Sequence, residues 1–342
     1  MEKRELSISV VVPTLRRPGE IEAFLQNLCE QDVLPFEVIV VDGAPEDVRA
    51  TESVVERLRS SFAFDLQYMR QQGGTAVQRN AGIDLAQGSL IALLDDDVRL
   101  TPGFLKTMAD VFVADGQKNI GGVVGYRINR HFEIAGSQRW RLYKRLKLLS
   151  VFEPGRYDFA CGYPINNNLQ PPFTGTREVD FMTTACAVWR RQVFDSGLRF
   201  SPFFTDYGVL EDAHLSLKAR SKWKLMQCGD AHCEELHSPN GRVSRRRIGF
   251  KCVVNYYFVF IDIVGPLSVA HKWRFWRFQA FEFLRVGAWA LRRLDRQSFL
   301  DLIGRVQGVL TIALFGNPGK EFVDVVRQSG VADQSRTYNG HA

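Results

Sequence analysis

Cysteine is scarce in this chain and is not spaced for structural work. The six in 342 residues (Cys29, Cys161, Cys186, Cys228, Cys233 and Cys252) form no CxxC pair and no Cys/His finger. Neither a disulfide framework nor a structural zinc site is suggested, and the thiols are expected to be unpaired in a reducing, cytoplasmic setting. A secretory leader is not expected either. The opening Met1-Glu2-Lys3-Arg4-Glu5 leads only to the apolar run 8–12, too short for a signal core and stopped by Pro13. There is no GxGxxG and no GxxxxGK[ST], so dinucleotide and P-loop ATP chemistry lack support.

Hydrophobic residues make up 45% of the chain and charged ones 24%, ample for one large core or a core with an appendage. The net charge of +6 is unevenly spread. From Gly241 onward 16 Lys and Arg face 7 Asp and Glu, whereas the part before it is net acidic. A basic C-terminal portion points to nucleic acid or an anionic membrane surface.

Apolar β-branched runs alternate with helical spacing along the first hundred residues. Strands are expected at 6–12, 37–41, near 66–69 and at 90–94, with helices at 21–28, 48–58 and 76–86 between them. Such alternation implies a parallel, doubly wound sheet, whose ligands bind at the carboxyl edge. Beyond it, a helix at 102–113, a strand at 121–128, a buried strand at 179–189 and a strand at 223–228 are expected, with 129–177 less regular.

The strand at 90–94 runs straight into Asp95-Asp96-Asp97. Three adjacent carboxylates repel one another, and a hard divalent cation such as Mg²⁺ or Mn²⁺ would relieve this. An acidic turn ahead of the next helix is the other reading. Asp42 closes the preceding strand, and Gly73-Gly74-Thr75 opens a helix where phosphate is favoured. Further on, Glu211 and Asp212 start a helix. Acids there interact well with the helix dipole, but a partly desolvated one is also a general base. Among His214, His232 and His237, the last lies in a loop just before the basic run 242–247.

These pieces, in this order, resemble family 2 glycosyltransferases. The matching motifs are Val10-Val11-Val12-Pro13-Thr14, Val40-Val41-Asp42-Gly43, and Gly73-Gly74-Thr75 leading to Arg79-Asn80-Ala81-Gly82. Leu94-Asp95-Asp96-Asp97, the strand 181–190 and Glu211-Asp212 complete the set, which spans roughly residues 5–250. The resemblance implies an α/β fold of the GT-A type, Rossmann-like, with a mainly parallel central sheet flanked by helices and a C-terminal helical extension. The implied catalytic domain is 1–247, with 129–178 as an insertion on the acceptor side; by the chain's own composition, 248–330 is expected to be helical, basic-aromatic and membrane-associated, and 331–342 a disordered tail.

The resemblance also assigns roles. Pro13, Thr14 and Asp42 would line the nucleoside pocket, and Arg79 would reach the nucleotide. Asp95 and Asp97 would be the outer acids of a DxD motif, with Asp97 the direct metal ligand and Asp95 on ribose or metal. Asp96 would lie between them, on the donor side. His237 would be the third metal contact for Mn²⁺ or Mg²⁺. Asp212 would be the catalytic base, with Glu211 beside it. The implied reaction is inverting, single transfer from a nucleotide-diphosphate sugar to a saccharide or lipid-linked saccharide acceptor, as in surface polysaccharide assembly. Processive members carry QxxRW, which is absent here. A sugar-phosphate nucleotidyltransferase is the alternative enzyme, but Leu15-Arg16-Arg17 is not its Gly-rich loop. A non-catalytic membrane or partner-binding protein would leave the acids idle.

In the C-terminal region, 252–270 is nearly all apolar but holds Asn255, Asp262 and Pro266. An acid at the centre of a span costs about 2.5–3.5 kcal/mol on insertion scales, so a buried or shallowly inserted helix is expected instead. The piece 271–294 interleaves Trp and Phe with Arg, as an interfacial helix on anionic lipid does. Peripheral attachment to the inner face of the cell membrane is expected, without nucleic acid; a helical subdomain packed on the catalytic domain or on a second subunit of a homo-oligomer is the other reading.

Overall fold

Apolar runs become the central strands because each can be buried on both faces. The computed structural model describes residues 6–130, 137–204, 206, 208–236, 238 and 243–316. The chain opens β1 (Ile8–Thr14), α1 (Pro18–Cys29), β2 (Glu37–Asp42), α2 (Ala50–Leu58), β3 (Asp65–Arg70), α3 (Thr75–Leu85) and β4 (Leu90–Leu94). These strands are parallel in the order β3-β2-β1-β4, and every residue of β1, β2 and β4 is buried. The register pairs Thr14 with Asp42 and Asp42 with Arg70, so the strand ends form one carboxyl edge.

The second half begins with β5 (Val98–Leu100), α4 (Phe104–Ala114), β6 (Ile120–Arg127), α5 (Gln138–Arg145) and the short pair β7 (Tyr157–Asp158) and β8 (Tyr163–Pro164). It continues with β9 (Thr176–Val179), β10 (Cys186–Arg190), α6 (Arg191–Asp195), α7 (Glu211–Ala219) and β11 (Lys224–Glu235). Beyond β4 the sheet runs β10-β6-β11-β5, with β9 also on β11. Here the pairing is mixed: β10 is antiparallel to both neighbours, and only β6 and β11 are parallel. The parallel sheet expected from the alternation of the first hundred residues is the first half of this one, and the second half adds the mixed pairing.

The single strand expected over 179–189 is two. Between β9 and β10, side chains take the place of ladder partners. Asp180 accepts from Tyr157 N–H at 2.9 Å, Ser216 Oγ accepts from Met182 N–H at 3.1 Å, and Asn167 donates to Phe181 C=O at 3.1 Å. Apolar composition alone cannot register such substitutions.

Three helices close the described chain: α8 (Arg245–Val264), α9 (Val269–Arg293) and α10 (Arg296–Phe315). Val253, Val254, Tyr257, Val259 and Phe260 of α8 join the same core as the sheet. The apolar run from 252 is therefore buried against protein, and Pro266 falls between helices. Asp262, anomalous in such a run, is partnered by His214 Nε2 and Lys218 Nζ, each at 2.7 Å. Among the described residues the helix long and apolar enough by composition to cross a membrane is α10, which periodicity did not single out. The irregular region 137–169 forms a second core, Trp140, Tyr143, Leu148, Leu149, Cys161 and Ile165, around Phe278 of α9.

α8 and α10 pack with their backbones in near contact. A Cβ at Gly304 would collide with the Arg246 carbonyl, and one at Gly249 with the Asp301 carbonyl. Overpacking of this kind costs about 1–3 kcal/mol. Gly304→Val should lower stability by at least that amount in urea unfolding, and a wild-type midpoint would show that α10 is not held this closely.

Candidate active site

At the carboxyl edge the three aspartates take different directions. Asp96 turns inward, 2% exposed, and accepts from Thr14 Oγ1 and Arg17 Nη1, each at 2.7 Å. Burial pushes its carboxyl up to about 6, against the lowering effect of Arg17 and Thr14. The residue expected to be an intervening one thus ties β4 to the end of β1, and the Thr14 hydroxyl is spent on it. Asp97 accepts from Ser238 N–H at 3.0 Å, and its carbonyl accepts from Leu236 N–H at 2.8 Å. Burial and the neighbouring Asp95 charge raise its pKa, while Ser238 and Arg17, whose Nη1 lies 3.8 Å away, oppose this. The Asp95 side chain is the most open of the three, at 33%.

His237, the expected third metal contact, lies outside the described residues; its chain neighbours Leu236 and Ser238 both donate to Asp97. His214 is turned to Asp262 and His232 lies on β11, with its ring beside Tyr126. Among the described residues no three His, Cys, Asp or Glu side chains gather as metal ligands. What remains is Asp95 and Asp97, two hard oxygen donors whose mutual repulsion is only partly offset. That donor set fits Mg²⁺ or Mn²⁺, which take few protein carboxylates and complete their shells with phosphate and water.

Asp42, fully buried, accepts from Ala44 N–H at 2.9 Å and from the Tyr68 hydroxyl at 3.0 Å. Burial first and Asp42 second push the Tyr68 hydroxyl well above its usual range, so it stays a donor. Gln78 donates to Thr14 C=O at 2.8 Å and Val41 C=O at 2.7 Å, closing the gap between the ends of β1, where Pro13 sits, and β2. Asp42 therefore shapes the turn after β2, with a protein donor on each oxygen.

Helix α7 begins with Glu211 and Asp212. Arg79, its side chain 4% exposed, donates to Asp95 at 2.7 Å and Glu211 at 3.2 Å. It lies over the Phe200 ring at 5.8 Å, and Asn80 holds Phe200 by a reciprocal pair of bonds at 2.9 Å. The arginine expected to reach a nucleotide thus bridges the acids of β4 and α7. Asp212 is half-buried and accepts from Ala213 N–H at 2.7 Å. Burial and the adjacent Glu211 push its carboxyl up to about 7. An acid that served only the helix dipole would be held low; a carboxyl poised near neutrality has the strength of a general base.

Sequence reasoning did not find Arg17, Tyr68, Gln78 or Ser238. Only the paired Arg16-Arg17 directly after β1 carried any signal, because guanidinium beside an acidic edge is a natural counter-charge.

The sequence profile of Glycosyl transferase family 2 matches residues 9–198, more than half of the 342-residue chain. This chain belongs to glycosyl transferase family 2. Over 106 residues it is 33% identical to GalNAc(5)-diNAcBac-PP-undecaprenol beta-1,3-glucosyltransferase of Campylobacter jejuni, covering 30% of this chain and 33% of that one. Over 95 residues it is 35% identical to the amylovoran biosynthesis glycosyltransferase AmsB of Erwinia amylovora, covering 28% and 32%. The match thus spans about a third of these relatives' lengths. The fold is that of a mannosyltransferase from Pyrobaculum calidifontis solved with GDP-Man and Mn²⁺: TM-score 0.52 at 17% identity, over 98% of this chain and 84% of that one. In this family 2 chain, then, the GT-A fold is established.

Arg17 supplies a charge test. Asp96 is ionised above about pH 6, so the attraction to Arg17 is present at higher pH and fades as pH falls through that value. Removing one partner of a buried pair costs about 3–5 kcal/mol. Arg17→Met, unfolded in urea with EDTA present, should lose more stability at pH 8 than at pH 5. An equal loss at both would mean that Asp96 is not charged against Arg17.

Proposed function

We propose that this chain transfers a single sugar, with inversion, from a nucleotide-diphosphate sugar to an acceptor hydroxyl. The observation that carries this is the Arg79 bridge. It joins Asp95, on the edge where the donor diphosphate would lie, to Glu211, beside an Asp212 raised to about 7. An acceptor hydroxyl approaches the anomeric carbon from the face opposite the diphosphate. Asp212 takes its proton as the new carbon–oxygen bond forms, and the bond to the diphosphate oxygen breaks on the other side. Mn²⁺ or Mg²⁺, held by Asp95 and Asp97 with His237 as a further ligand, would neutralise the departing diphosphate. Pro13, Thr14 and Asp42 belong to the nucleoside end, where Thr14 and Asp42 act by fixing the turns that shape it.

The acceptor we favour is a lipid-linked saccharide in surface polysaccharide assembly. Support comes from the C. jejuni relative, whose name states a polyprenol diphosphate-linked acceptor, and from the amylovoran relative. The chain's own support is the surface of its last helices. α9 exposes Trp273, Leu284, Trp289 and Leu291, and α10 exposes Phe299, Ile303, Val306, Leu310 and Leu314 along one stripe. Lys272, Arg274, Arg277, Arg292, Arg293 and Arg296 accompany them, the mixture that suits the cytoplasmic face of an anionic bilayer. Association of two copies through this stripe is the competing use.

General-base help is worth about 10²- to 10⁴-fold. Asp212→Asn should lose that much sugar transfer while a nucleoside diphosphate with Mn²⁺ still raises the melting temperature; near-wild-type turnover would remove Asp212 from the base role. Asp97→Ala should abolish the Mn²⁺-dependent part of that thermal shift with UDP or GDP, and an unchanged shift would place the metal elsewhere. The protein should sediment with phosphatidylglycerol vesicles but not with phosphatidylcholine vesicles, and release at high salt. Equal partition to both, or a salt-stable dimer with no vesicle binding, would contradict the membrane reading.

A further inference from the structure

One face of α8 is not used for burying apolar surface alone. Arg247, Lys251, Asn255, Phe258 and Asp262 follow one another at spacings that place them on one side of a helix. Each meets a different part of the segment that presents Glu211 and Asp212. Arg247 forms an ion pair with Asp206. Lys251, 2% exposed, feels the charges of Asp206 and Glu211. Asn255 donates to the Val209 carbonyl at 2.9 Å. Phe258 stacks on Phe203, with ring centroids 3.7 Å apart and planes 12° from parallel. It also packs 5.4 Å from the His214 ring, whose Nε2 is bonded to Asp262 at 2.7 Å.

The segment so gripped is held in a conformation it would not choose alone. Asp206 (φ 57°) and Leu210 (φ 71°) are both left-handed without being glycine. Such a residue is strained, and persists only where its surroundings over-determine it. The segment is also pressed against α3, which carries Arg79. The Asp206 carbonyl accepts from Thr75 N–H at 3.1 Å, and a Cβ at Gly74 would collide with the Asp206 backbone. Between α3 and α8 there is little freedom left for the start of α7.

We infer that this stripe of α8 is the positioning element of the base, its residues acting through Asp206, Val209 and His214 to set where Asp212 meets the acceptor. The inference rests on Asp212 being the base. A misplacement of about 1 Å can cost about 10²-fold in rate, whereas none of these contacts is made to Asp95 or Asp97 on the sheet edge. The stripe therefore governs kcat and not nucleotide affinity.

The test compares Asn255→Leu, Asp262→Ala, the conservative Asp262→Asn and Asp212→Asn in the full chain. Turnover is read as acceptor-free hydrolysis of UDP-glucose, UDP-N-acetylglucosamine and GDP-mannose with Mn²⁺. Asn255→Leu and Asp262→Ala should lower kcat about 10- to 100-fold with KM and the UDP or GDP thermal shift unchanged, and Asp262→Asn should recover most of the loss. Amide hydrogen exchange, which needs no donor, should rise across 208–219 in both variants and stay unchanged across 90–100. Wild-type kcat in the stripe variants beside an inactive Asp212→Asn would overturn the inference. So would a parallel loss of nucleotide affinity or unchanged exchange at 208–219, since the stripe would then be general scaffolding or no constraint. Full turnover by Asp212→Asn would instead remove the base itself, and the positioning role with it.

Discussion

A buried guanidinium with an acid on either side is the constraint around which this molecule is arranged. Arg79 comes from α3, yet one of its bonds reaches the end of β4 and the other the start of α7. Glu211 is buried and Asp95 is partly open, and the shared cation offsets the charge of both. In doing so it fixes the separation between the edge that presents Asp95 and Asp97 and the helix that presents Asp212. The pair of acids left without a full counter-charge, Asp95 and Asp97, is where we propose that a divalent cation is held. Asp96, satisfied by Thr14 and Arg17, has no such need.

Much of this was legible in the chain before any coordinates. The uninterrupted apolar runs of β1, β2 and β4 required burial on both faces, and a parallel sheet puts Thr14, Asp42 and Asp95 on one edge. What the runs could not disclose is how the polar groups pair. Arg17 and Asp96 are 79 residues apart and Arg79 and Glu211 are 132 apart, distances over which periodicity carries no information. The roles of Thr14 and Asp42 shifted for the same reason. Both stand at the strand ends, but the Asp42 carboxylate accepts from Ala44 and Tyr68, and the Thr14 hydroxyl donates to Asp96. The mixed half of the sheet was harder still. β5 is a short three-residue strand, β11 extends past an irregularity near Gln227, and the chain between β9 and β10 is satisfied by side chains. Short or interrupted segments leave too few alternations to read.

The C-terminal helices changed meaning most. Composition described them as basic, aromatic and able to meet a membrane, and exposed apolar residues on α9 and α10 fit that. Composition read the run in α8 as a buried or shallowly inserted helix, and left its polar residues Asn255 and Asp262 without partners to explain them. In the fold they are partnered: Asn255 donates to the Val209 carbonyl ahead of α7 and Asp262 pairs with His214 and Lys218 of α7 itself, while the apolar residues of α8 join the sheet's core. Gly249 and Gly304 then let α10 lie directly on α8, so the outer helix and the catalytic segment are separated by a single helix.

The central claim is that the open acids of the sheet edge hold a cation together with the donor's diphosphate. The most direct measurement is an anomalous difference map from crystals soaked with Mn²⁺ and UDP or GDP. A single peak bridged by Asp97, Asp95 and the nucleotide phosphates is the result this arrangement predicts. A bound nucleotide with no peak at these aspartates, or a peak elsewhere on the protein, would contradict it.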